Sequence, residues 1–174
     1  MALDAEKEIS RLWASLHSAQ DEIGRTYYRW RQAALKVAGP DAKPFDVSLK
    51  AAEIIGMEIG KSFLPRLNWL KGEEAWLISL SNSYAGQWIN HGAVVKVEKG
   101  SHPFEAFIKW ERCPWPTFAK EYGVPMEEDF LCCDKILQTI LADVNVFFNV
   151  NYKIETLKAI PRGEGMCLRR LYKV

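Results

Sequence analysis

The chain has 174 residues, 48% of them hydrophobic and 12% aromatic, with a formal charge of +1. That length and apolar content suit one domain burying about 70% of its unfolded surface, and evenly mixed charge excludes the positive field that would hold nucleic acid or an anionic membrane. No apolar run approaches the ~20 residues that span a bilayer, and the start Asp4-Ala5-Glu6-Lys7-Glu8 is charged, so we expect a cytoplasmic protein with no membrane partner.

Residues 4 to 38 read as one long helix or a helix pair. Ile9, Leu12, Trp13, Leu16, Ile23, Tyr27 and Trp30 recur at spacings of three and four, Gly24 is a point for a bend, and Gly39-Pro40 ends the pattern. Trp13 and Trp30 are read as core or interface packing, and these N-terminal helices as the surface for a homo-oligomer or larger complex. After a turn at Pro44, Asp46 is expected to cap a second helix through Leu64, in which Gly56 and Gly60 allow close helix packing. A third helix runs from Glu73 to about Asn90, with Trp76, Leu77, Leu80, Tyr84 and Trp88 on one face. His91 follows between this helix and a strand, where a solvated terminal histidine is the common outcome.

Residues 94 to 99 and 104 to 112 alternate apolar and polar around Gly100-Ser101-His102-Pro103, the pattern of a half-buried hairpin with Ala106, Ile108 and Trp110 facing in. Cys113-Pro114-Trp115-Pro116 then starts a short helix. From Met126 to Val144, Phe130, Cys133, Leu137, Ile140 and Leu141 form a helical stripe, which puts Cys133 on the buried face and Cys132 to its side. Alternation resumes over 146 to 158, and 166 to 173 makes the last strand. The sum is a single α+β domain, mainly helical over 1–90 and hairpin, two helices, hairpin over 91–174. It forms a four-stranded antiparallel sheet with helices on one face, leaving room for a pocket between them.

The four cysteines lack Cys-x-x-Cys spacing, and three histidines are few, so neither a structural metal nor a cofactor is expected. Cys113 adjoins Arg112 and precedes a helix start, both of which favour a thiolate. It is therefore expected to be more reactive than Cys133. Cys167 shares a strand face with Arg169, whose guanidinium suits a carboxylate. Asp134 and Glu155 are candidate acid or base groups, and Tyr84, Trp88, Trp110 and Trp115 candidate walls of an aromatic pocket near His91. For Cys133, His91, Asp134, Glu155, Arg169 and the four aromatics packing or solvation is the commoner use, while Cys113 and Cys167 stand open to either use.

Taken together and in order, Arg112-Cys113-Pro114-Trp115, Cys132-Cys133-Asp134, Ile154-Glu155-Thr156 and Gly165-Met166-Cys167-Leu168-Arg169 resemble the L-2-amino-thiazoline-4-carboxylic acid hydrolase family. More distantly they resemble the 4-vinyl reductase type of small-molecule-binding domain. Leu168 stands where the hydrolase-like family has an aromatic. The resemblance covers the chain from about Val94 onward. It implies a cofactor-independent hydrolase opening a cyclic C–N or C=N bond, with Cys113 or Cys167 as nucleophile, Glu155 and Asp134 assisting, and Arg169 anchoring substrate. The distant relation implies the alternative, a non-catalytic module that binds a small ligand or assembles with partners.

Overall fold

The computed structural model describes residues 4–174 and has an α+β architecture. Helix α1 (Ala5–Ala38) is capped by Asp4, whose carboxylate accepts the Lys7 N–H, and ends at Gly39, which takes a positive φ. It runs without interruption. Gly24 serves contact rather than bending, because a Cβ there would meet the Phe118 ring at 2.3 Å. Helix α2 (Pro44–Phe63) begins one turn earlier than the sequence suggested. Pro44 occupies the first helical turn, where its missing N–H costs nothing, and Asp46 is an exposed acid in that turn rather than the cap.

Helix α3 (Glu73–Ile89) leads into the hairpin of β1 (Val94–Lys99) and β2 (Glu105–Arg112). A short helix α4 (Trp115–Glu121) and a long one, α5 (Met126–Phe148), separate that hairpin from β3 (Tyr152–Lys158) and β4 (Cys167–Lys173). The sheet order is β1-β2-β4-β3 with every neighbouring pair antiparallel. The expected strand from 146 starts later, at Tyr152. Val146 to Phe148 continue α5, which stops at Asn149 with φ 52°, and the Asn145 side chain then pairs with both backbone groups of Tyr152 to start β3.

One face of the sheet carries Ile108, Trp110, Cys167, Arg169, Leu171 and Tyr152, all buried under α3 and α5. At one end large side chains fill the layer completely. Trp76, Leu77, Leu80 and Leu171 are fully enclosed there, each contributing roughly 1.5–3 kcal/mol through removal from water. Helix α2 lies close on α5, since Gly56 faces the Ile136 carbonyl and Thr139, and Gly60 faces Asp143 and Ile140. The glycines were read for this role from their four-residue spacing. No helix among the described residues is long and apolar enough to cross a membrane.

Candidate functional site

Between α1, α2, the C-terminal end of α3, α4, α5 and the start of β4 lies a cavity of about 410 Å³. Ile54, Ile55 and Ile59 of α2 form one wall, and Trp88 with Trp115 another. Ile23 and Ile54 are about half exposed, which marks the open side between α1 and α2. All four cysteines of the chain line this space, together with Arg169, His91, Glu128 and Asp129.

Six of the ten residues proposed from sequence therefore converge here: Cys113, Cys167, Arg169, His91, Trp88 and Trp115. The other four do not. Glu155 alternates with the inward Ile154, is exposed, and lies 3.9 Å from Arg170, which is not among the inward-facing residues of β4. Asp134 accepts hydrogen bonds from Thr156 Oγ1 and Gln138 Nε2, each at 2.6 Å, outside the cavity lining. Tyr84 is enclosed in the core, its hydroxyl donating to the Leu137 carbonyl at 3.0 Å. Trp110 packs edge-on against Trp88 within the sheet core and is likewise not part of the wall.

The thiols differ from expectation in both placement and acidity. Cys132 is the buried member of the adjacent pair, whereas Cys133 keeps accessible surface and also lines the cavity. Burial pushes the Cys113 thiol well above its ordinary range, overriding a favourable contact with the Trp115 N–H. Arg112 does not oppose this, since it is exposed and donates to the Gly92 carbonyl. Desolvation likewise raises Cys132 and Cys133, each to about 12, and raises Cys167 despite the Ile160 N–H at 3.2 Å and the nearby Arg169. At neutral pH these groups are thiols rather than thiolates.

Two acids at the start of α5 escaped the sequence reading, because acids in a first helical turn are ordinarily solvated. Glu128 is instead buried in an ion pair with Arg31 of α1 at 2.6 Å and accepts the Ser48 hydroxyl of α2, so it ties three helices together. Asp129 accepts the Tyr28 hydroxyl at 3.0 Å, and burial raises its carboxyl to about 6, with Glu128 adding to the rise. His91 is pushed down by burial, and its Nδ1 is enclosed without a partner. Arg169 is 1% exposed, and its Nε also has no partner. Among the described residues no three of His, Cys, Asp and Glu form a group able to hold a metal.

The fold and cavity define a class, an antiparallel sheet backed by helices with an apolar pocket at one end of the sandwich. No protein-family model matches the chain, and no curated protein is significantly similar to it. Among solved structures it is similar to subunit 3 of a trafficking protein particle complex from Naegleria fowleri, covalently bound to palmitic acid. The TM-score is 0.54 at 12% identity, over 88% of this chain and 96% of that one. A likeness at that identity establishes shared fold and no more.

Proposed function

We propose that this protein is a binding module that takes a small, largely apolar ligand into the cavity between α1, α2 and α5. The observation that carries the reading is the cavity itself, about 410 Å³, walled by isoleucine and tryptophan with a few convergent polar groups. The neutral state of the thiols favours binding over thiolate chemistry. Two features of the structural neighbour support the same choice: it carries an apolar chain, and it is a subunit of a complex. Helix α1 offers a matching surface, since Ile9, Trp13, Leu16 and Trp30 are exposed along it, and this supports a role as one component of a larger assembly.

A hydrolytic use of the cavity retains one supporting observation, the presence of Cys113, Cys167 and Arg169 in its lining. Turnover of L-2-amino-thiazoline-4-carboxylate that disappears in Cys113→Ser or Cys167→Ser would favour it. The binding reading is tested with a neutral apolar dye. We expect saturable, stoichiometric uptake that decanol competes away and that Ile55→Phe abolishes while the melting temperature holds. Uptake that never saturates, or that persists unchanged in Ile55→Phe, would remove the cavity as the binding site.

A further inference from the structure

Arg169 stands at the centre of the inward face of the sheet, registered between Ile108 of β2 and Thr156 of β3. Sequestering a guanidinium from water is costly unless an opposite charge compensates it. The neighbouring arginines follow that rule, Arg31 pairing with Glu128 and Arg170 with Glu105. Arg169 does not. Among the described residues no carboxylate pairs with it; Nη1 donates to the Lys158 carbonyl at 3.2 Å, and Nε is buried without an acceptor.

The groups closest to it are thiols and an aromatic ring. Cys133 and Cys167 both feel its charge, yet burial keeps them neutral. Phe130 lies with its ring 5.8 Å from the guanidinium carbon. The acids lining the cavity are otherwise engaged: Glu128 with Arg31, Asp129 with Tyr28, and Glu58 exposed on α2. Arg169 is the only arginine or lysine among the described lining residues. A single cation in a lining that also holds three acids suits a singly charged group and disfavours a phosphate dianion. A planar carboxylate also matches the fork of N–H donors on a guanidinium.

We infer that the ligand is a free monocarboxylic acid, held without a covalent bond, its carboxylate seated on Arg169 and its apolar tail directed toward the opening between α1 and α2. This rests on the cavity-binding reading above and narrows it to one chemical class. The carboxylate supplies the missing counter-charge to the guanidinium. The isoleucine wall of α2 then covers the tail.

The test is calorimetric titration of the whole protein with decanoic acid, decanamide and decanol, three ligands that share a tail and differ in the head. Decanoate should bind more tightly than the amide or the alcohol by on the order of ten- to a hundredfold, the worth of a charge-assisted hydrogen bond. Arg169→Met should erase that preference while still binding decanol. If the variant does not fold, the comparison of heads on the native protein decides alone. Equal affinity for the three ligands would overturn the carboxylate inference and leave the apolar cavity standing, whereas absence of binding by all three would overturn both. An acyl adduct surviving denaturation in the intact mass would also overturn it, since a thioester leaves no carboxylate for Arg169.

Discussion

Replacing Asp129 with asparagine tests the electrostatics of the cavity wall directly. The carboxyl of Asp129 is raised from 3.8 to about 6, chiefly by desolvation, and the Tyr28 hydroxyl at 3.0 Å only partly offsets this. A folded-state value above the unfolded one means that the folded protein holds its proton more tightly. The contribution to stability is then full below about pH 3.8 and is lost as pH rises through about 6. The rise corresponds to about 3 kcal/mol of differential stability between the two ends of that window. Asparagine can still accept the Tyr28 hydrogen bond but carries no charge to desolvate. Asp129→Asn should therefore be more stable than the native protein by about 1–3 kcal/mol near neutral pH, and the gap should close toward about pH 4. Urea unfolding of both proteins at several pH values from about 4 to 7.5 measures the difference with the other titrating groups cancelled. A gap that does not change with pH, or an asparagine variant less stable at neutral pH, would refute the reasoning.

The buried pair beside it should behave in the opposite way. Arg31→Met leaves Glu128 enclosed with only Ser48 as partner, so unfolding by denaturant should show a loss of about 3–5 kcal/mol. A loss below about 1 kcal/mol would mean that Glu128 reaches water or takes up a proton at no cost. The thiols give a third expectation, that neither Cys113 nor Cys133 alkylates rapidly in the native protein near pH 7.5 and that both do so once it is unfolded. Residue-resolved mass spectrometry reads this out, and fast native labelling of Cys113 would restore it as an activated nucleophile.

The elements that alternation and helical spacing describe best are those whose two faces meet different media. Residues 106 to 110 and 167 to 171 bury every second side chain, and both strands are legible for that reason. The stretch from Val146 to Val150 carries the same two-residue alternation, but there it coincides with the last turn of α5 and the link to β3. Val146 and Phe147 are exposed, so their hydrophobicity reports no buried face, and only the left-handed Asn149 fixes where the chain turns. Strand parity also bears on the site. Tyr152 and Ile154 share the inward face, which places Glu155 outside, against what the resemblance to a Glu-bearing strand implies. What no local pattern could supply is the contribution of α1 and α2. Tyr27, Tyr28, Ile55 and Ile59 reach the cavity only because the helices fold back over α5 across sequence separations of roughly a hundred residues.

The same packing explains why the cavity exists where it does. At the closed end of the sandwich, Phe63, Trp76, Leu77 and Tyr152 fill the layer between helices and sheet. At the other end the facing positions on α5, β4 and the approach to α4 are held by Cys132, Cys133, Cys167 and Cys113. A cysteine behaves as a small hydrophobe, so four of them lining one cavity leave space that leucines would close. Their common use as volume accounts for all four without assigning any a reactive role. At the inward strand position of Arg169 the near neighbours are Cys133 and Cys167 rather than a paired carboxylate of the chain. Residues that in sequence offer separate nucleophiles and a separate anchor thus line one cavity, in which the thiols act as small side chains and Arg169 is the one lysine or arginine among the described lining residues.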